Sequence, residues 1–175
     1  MSWKRLIPVL LTALAAHAAT LQQLSMDQMT QSATAIVRAR VVSTSTSAIG
    51  SSIYTHYKLN VSEAWKGAPA AEVLLPGGDL NGRKQSFPGV PELRVGGEYI
   101  LFLWKSPSTG IVHTIGLTQG IFEVNSQADG SVTATRRPSG ELMLDANGHR
   151  VSDQAINLKL DDLKSTIRAT GGKAR

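Results

Sequence analysis

Few residues of this sequence are of types that could do chemistry, and those few are widely spaced. Beyond the first eighteen residues the histidines are His56, His113 and His149, far apart in the chain. A zinc site takes three or four closely placed Cys, His or carboxylate ligands. The chain has no Cys and no H-E-x-x-H pattern, so no metal and no other cofactor is expected. Asp145-Ala146-Asn147-Gly148 resembles a fragment of a calcium loop. A complete loop carries further carboxylates and a terminal Glu at fixed spacing. Asn147-Gly148 reads instead as a hairpin turn, because both residues tolerate positive φ. Nucleophilic catalysis needs a Ser or Cys beside a base. The serines gather in residues 43–52, which read as a polar loop, and no G-x-S-x-G occurs. A carboxylate pair for glycoside hydrolysis forms in space rather than in sequence, and that possibility stays open here. Most of the acids fall at turns or at helix starts, where solvated surface is the expectation. No catalytic constellation emerges, and the expected function is non-catalytic.

Two arginines and a few aromatics could serve binding. Arg38 and Arg40 share the polar face of one strand, and Lys58 on a neighbouring strand could join them in a basic patch. Such a patch on a small barrel can hold nucleic acid where aromatics stack the bases. With 5% aromatic residues and an export signal, no nucleic-acid partner is expected. Tyr99, Phe102 and Trp104 read as core and core-edge residues. Trp65 sits at a strand end beside Gly67 and, if exposed, is the best contact residue.

The elements that must position these groups begin with a leader. Met1-Ser2-Trp3-Lys4-Arg5 is basic, residues 6–16 are apolar, and Ala16-His17-Ala18 is a small-x-small cleavage pattern. This predicts a secretory signal over residues 1–18 and a mature chain starting at Ala19, periplasmic or secreted. The apolar run is shorter than the roughly 20 residues that span a bilayer, and no later stretch is long enough. No span is therefore expected after cleavage. Removing eighteen residues from 175 leaves 157, the size of one domain. Export would allow disulfides, but without Cys packing alone must hold that domain, and no Cys can carry a lipid. Losing Lys4 and Arg5 lowers the formal charge from +5 to +3, a weak bias toward anionic partners.

Along residues 19–175, Ser25-Met26-Asp27-Gln28 is a capping box, with Leu24 and Met29 placed as a hydrophobic staple. It predicts a helix from Met26 to about Ala33. The period then becomes two: Val37, Ala39 and Val41 alternate with Ile36, Arg38, Arg40 and Val42, which predicts a half-buried strand. A second strand runs from Ile53 past Val61, and Ala64-Trp65 breaks its alternation, the mark of a bulge. A short strand over residues 72–75 ends at Pro76-Gly77-Gly78, and residues 79–91 read as a mobile excursion. Tyr99-Ile100-Leu101-Phe102-Leu103-Trp104 is apolar on both faces and predicts a central strand. Residues 111–117 should pair back on it. Further strands are expected near residues 121–124, 131–135, 141–144 and 149–151, with Asp129-Gly130 and Asn147-Gly148 as turns. A closing helix over residues 160–169 has Leu160, Leu163 and Ile167 as its apolar stripe. Residues 171–175 read as a frayed tail. The fold class is mainly β: a small barrel with a short N-terminal helix and a C-terminal amphipathic helix outside it.

One family is similar in this order of features. The short helix, Ala35-Ile36-Val37-Arg38-Ala39-Arg40-Val41-Val42, residues 54–61, Trp65-Lys66-Gly67, and Leu93-Arg94-Val95-Gly96-Gly97-Glu98-Tyr99-Ile100-Leu101 resemble the netrin-like domain of tissue inhibitors of metalloproteinases and related proteins. The likeness covers residues 24–124 and implies an OB-like barrel with helices packed on it. In those inhibitors disulfides tie the chain, and the α-amine and carbonyl of a first Cys chelate the protease zinc. By resemblance, Ala19 would supply the α-amine and Thr20 the second inhibitory position. The expected function is thus an exported interaction module. Its partner would be another exported protein such as a metalloprotease, with Ala19, Thr20, Trp65, Arg38 and Arg40 as contact residues. Two other readings are a periplasmic carrier of a small apolar or glycan ligand and an enzyme of unrecognised type.

Overall fold

From Tyr99 to Leu103 five successive side chains are buried, so this stretch must feed a core on each side. The computed structural model describes residues 20–172; the expected signal segment, Ala19 and residues 173–175 lie outside the described residues. In chain order the elements are β1 (Thr20–Gln22), α1 (Met26–Ser32), β2 (Ala35–Ile49), β3 (Ser52–Lys66), β4 (Glu72–Pro76), β5 (Gly78–Leu80), β6 (Arg83–Gln85) and β7 (Glu98–Lys105). Then come β8 (Val112–Thr114), a 3-10 turn (Leu117–Gly120), β9 (Ile121–Ser126), β10 (Val132–Arg136), β11 (Leu142–Leu144), β12 (Arg150–Val151), β13 (Ile156–Lys159) and α2 (Leu160–Gly172).

The protein is mainly β. One eight-stranded antiparallel sheet runs β13-β10-β9-β7-β2-β3-β4, with β8 paired to the far half of β7. A small sheet β1-β11-β12 joins the N-terminal strand in parallel to β11, and β5-β6 is a short hairpin. Among the described residues no sheet closes into a barrel. Ile36, Ile100, Phe102 and Phe122 point toward the two helices, where Met29, Leu160, Leu163 and Ile167 meet them. The rings of Phe102 and Phe122 are 5.9 Å apart and tilted by 47°. Val37, Ala39, Val41, Leu101 and Leu103 point the other way, into a second core with Tyr57, Val73, Leu75 and Leu93.

Three register shifts bend the β2–β3 pair. One skips Trp65, as the broken alternation at Ala64-Trp65 predicts. It turns the indole toward the helix-side core, against which Trp65 packs half-buried. At the adjoining Gly67, φ is +65°, and a Cβ would run into the carbonyl oxygen of Thr34. The capping box of α1 is present in both directions. The helix has no basic residue in its last turn, and Lys66 of β3 supplies one from outside, donating from Nζ to the carbonyls of Thr30 at 2.7 Å and Gln31 at 3.0 Å. Thr170 of α2 donates to Asp27 at 2.6 Å, pinning the two helices together.

Several expectations change. The serine-rich stretch expected as a loop over residues 43–52 is strand to Ile49, because it pairs against β3 and Thr/Ser are tolerant of that pleat. The excursion over residues 79–91 contains the β5–β6 hairpin, whose Asn81-Gly82 turn has positive φ at both residues. Residues 171–172, expected as frayed, complete α2. Trp104, expected at the core or its edge, is 41% exposed, near the end of β7 and opposite His113 of β8. The strands β1 and β13 come without any forewarning from the sequence.

Leu101 is fully buried in the central strand. Leu101→Ala should lower the free energy of unfolding in urea by about 2–5 kcal/mol; a loss below about 1 kcal/mol would contradict a central position.

Candidate functional site

The N-terminal edge is built by a buried amide. Thr20–Gln22 pairs in parallel with Leu142–Leu144, and the amide of Gln23 donates to the carbonyl of Leu144 at 2.8 Å. Gln119, 1% exposed, then clamps the strand's exit from both sides. Its Oε1 accepts from the amide of Leu24 at 2.8 Å, and its Nε2 donates to the carbonyl of Gln22 at 3.0 Å. The turn that carries Gln119 is forced. Gly116 and Leu117 are both left-handed, with φ of 58° and 56°. For a branched residue such as Leu117 that conformation costs about 1–3 kcal/mol, so the surrounding contacts must hold it. Gly120 closes the turn where a Cβ would meet the carbonyl of Ile115. Thr20 stands exposed at the start of this strand, Leu21 is half-buried and Gln22 exposed.

Beside it opens a cleft of about 490 Å³ lined by Gln23, Leu24, Met26, Met29, Ile156, Arg136 and Asp145 among others. Its walls are largely apolar. Arg136 is 4% exposed and bonds Asp153 at 2.5 Å and the carbonyl of Gln154 at 3.0 Å, while its Nε has no partner. Asp153 in turn accepts from the amide of Ser139 at 2.8 Å, so this buried pair fixes the loop ahead of β13.

The remaining expected contact residues gather elsewhere. Arg38 donates to Glu98 at 2.7 Å and to Glu63 at 3.2 Å; Arg40 donates to Glu98 at 3.1 Å and to the carbonyl of Gly96 at 2.6 Å. Lys58 lies opposite Ser43, beyond these residues along the strand. Glu63 also takes the ammonium of Lys164 on α2 and, at 3.0 Å, the indole N–H of Trp65. Lys164 rests over the same indole, 5.6 Å from its centre. Arg38, Arg40 and Lys164 thus share two carboxylates, Glu63 and Glu98, in a network that fastens α2 to the sheet. Trp65 belongs to it as well. The Lys164 ammonium, then Trp65 and Arg38, hold the Glu63 carboxyl down at about 2.

Two further clusters complete the surface. Arg94 and Arg137 flank Glu123 in a cleft of about 410 Å³ floored by Leu93, Tyr99 and Ile121. Across the open face of β2, β3 and β4, Ser47 Oγ lies 2.7 Å from His56 Nε2, and His56 Nδ1 lies 3.3 Å from Glu72. This is the order of a serine–base–acid relay. Acyl transfer also needs aimed oxyanion donors and a water-excluding cleft. Ser47, His56 and Glu72 line neither of the two clefts described above. The apolar interior itself is capped: Leu93 is buried over it, and the amide of Arg94 donates to the Tyr99 hydroxyl at 3.0 Å. Burial pushes the Tyr57 phenol above its ordinary range, against the pull of the Leu93 amide.

The sequence matches no protein-family model and no curated protein. Of the expected contact residues, Thr20 alone stands at the N-terminal edge, and Ala19 lies outside the described residues. Gln119 and Arg136 escape a sequence reading because a buried polar residue looks like any surface one in a strand-rich chain. The one signal was Gly116 and Gly120 bracketing Gln119. The Ser47–His56 contact is missed for a related reason, since a serine run taken as a loop has no register.

Gln119→Ala would strand the amide of Leu24 and the carbonyl of Gln22. It should cost about 2 kcal/mol or more and expose residues 20–24 to limited proteolysis before the domain unfolds; an unchanged cleavage pattern would show that the clamp does not hold the strand. Glu63 has a folded pKa below its ordinary 4.5, so its contribution is complete above that value and fades as pH falls toward about 2. The urea midpoint of the native protein should exceed that of Glu63→Gln at pH 7, with the gap closing between about pH 4.5 and 2. A gap independent of pH would contradict this role.

Proposed function

We propose that this chain is an exported, non-catalytic interaction module that meets another exported protein with its N-terminal edge. The observation that carries the reading is the double clamp of Gln119 on the carbonyl of Gln22 and the amide of Leu24. A binding strand that is already ordered does not pay its ordering entropy on association. The adjoining partly apolar cleft adds contact area beside it. The filled interior, with Leu93 as its cap, weighs against a carrier of a small ligand.

The netrin-like, OB-type barrel remains part of this proposal. In its favour, β7, β2, β3 and β4 wrap one shared core, and β8 returns beside β4, where His113 Nδ1 lies 3.1 Å from the carbonyl of Leu74. A side chain bridges the seam that a ladder would close. On the same resemblance the partner is a zinc metalloprotease. The α-amine of Ala19 and the adjacent carbonyl would take an open zinc position, with Thr20 entering the neighbouring pocket. Gln119 then does without covalent bonds what disulfides do in the inhibitors.

The test sets the mature protein, beginning at Ala19, against a panel of zinc metalloproteases beside a variant with one residue added before Ala19. The expected result is inhibition at micromolar concentration that the added residue abolishes. Equal behaviour of the two proteins, or no inhibition by either, would overturn the zinc-chelating form. Retained binding of a protease by both would place the contact on the cleft instead.

A further inference from the structure

The strand β2 changes surroundings halfway along. From Ala35 to Arg40 it is paired on both sides, by β7 and by β3. At Val41 its backbone still exchanges bonds with Gly96 and Gly97. From Ser43 to Ile49 it pairs with β3 alone. Ile53 of β3 bonds Gly77 and Gln85 through its backbone, on the side away from β2. By the alternation of an antiparallel ladder, Tyr54, His56 and Lys58 therefore bond β2 at Ser47, Ser45 and Ser43. The N–H and C=O groups of Thr44, Thr46 and Ala48 then face outward, and among the described residues none has a backbone partner. The free edge is seven residues long, about 24 Å at the usual rise of a strand.

Edges of this kind are normally blunted by a Lys, a Pro or a cover. Here Ser43, Thr44, Ser45 and Ala48 are exposed, Thr46 is half-buried with its hydroxyl donating to the carbonyl of Asp79 on the face that β5 covers, and no Lys, Arg, Asp, Glu or Pro occurs from Val41 through Tyr57. The last of the three register shifts in this pair falls at Val42, before the free stretch begins. The absence of charge has a particular meaning. Across a two-fold axis a strand meets itself, so any charge near the centre would face its own copy and repel it. The ends of the edge carry exposed apolar side chains, Val42 at 50% and Ile49 at 41%. In an antiparallel register centred on Thr46, Thr44 faces Ala48 of a second copy, and Ile49 lies opposite its Ser43 and beside its Val42.

We infer that the Ser43–Ile49 edge of β2 pairs with the same edge of a second copy of this chain in a two-fold antiparallel contact centred on Thr46. Each copy supplies the three outward donor–acceptor pairs, and the two Val42–Ile49 contacts close the ends. One pair of short strands buries a small interface, so the dimer forms in the micromolar range.

Sedimentation velocity of the exported protein between about 1 and 200 µM tests this, the range a small interface requires. The expected result is a reversible monomer–dimer equilibrium. Thr44→Pro removes an outward N–H from each copy without touching the β3 ladder. Ser45→Lys sets two like charges diagonally across the axis on an exposed face. Each should raise the dimer dissociation constant about tenfold or more, the worth of two backbone hydrogen bonds or a like-charge contact. Ser45→Lys should keep the native melting temperature, which separates lost pairing from lost folding. A monomer throughout the concentration range, or a dimer that both variants leave intact, would overturn the inference.

Discussion

Everything in this molecule depends on the two-faced burial of β7 and of the half of β2 that pairs with it. Leu101 and Leu103 alternate with Ile100 and Phe102, and all four are fully buried. A strand with no solvated side forces the chain to build cover on both faces. On one face the cover is α1 and α2, with Met29, Leu163 and Ile167. On the other it is the sheet's own curl, with β3 and β4 bringing Tyr57, Val73 and Leu75 over Val37 and Val41. With no disulfide or described metal cluster to add cross-links, this double core carries the stability of a chain of ordinary domain size.

The rest is fastening. The helices are not held by apolar contact alone. Lys66 caps α1 from β3, Thr170 reaches Asp27, and Glu63 collects Lys164, Arg38 and Trp65 between α2 and the sheet. Arg38 and, through Glu98, Arg40 thereby have a structural use. At the N-terminal edge the fastening is Gln119, a neutral group that satisfies one donor and one acceptor at once. A neutral amide suits a site 1% exposed, where a charge would cost far more. It rests on a turn with strained backbone at Leu117, and strain of that kind persists only where the surroundings over-determine it.

Much of this could be read from residue types. The capping box at Ser25, the two-faced run at Tyr99, the break at Ala64-Trp65 and the stripe of Leu160, Leu163 and Ile167 each follow from local periodicity, and local periodicity is what a sequence displays. The length of β2 past Val42 could not, because Ser-Thr-Ser-Thr-Ser carries no burial signal and is strand only through β3. The three-residue β1 could not either, since a parallel pairing with β11 lies over a hundred residues away. The candidate site was legible only at Thr20. Gln119, Arg136 and the Ser47–His56 contact arise from side chains brought together by topology, and so Arg38, Arg40 and Trp65, which look functional in one dimension, turn out to be joined in a single ion-paired network.

The N-terminal strand is an ordered part of the domain and not a tail. Native-state amide hydrogen exchange at Gln23 and Leu24 measures this directly. Both amides, bonded to Leu144 and to Gln119, should exchange far more slowly than free peptide and open only with the small sheet or the whole fold. Exchange at the rate of an unstructured chain at these two positions, while Ile100 and Leu101 stay protected, would contradict it.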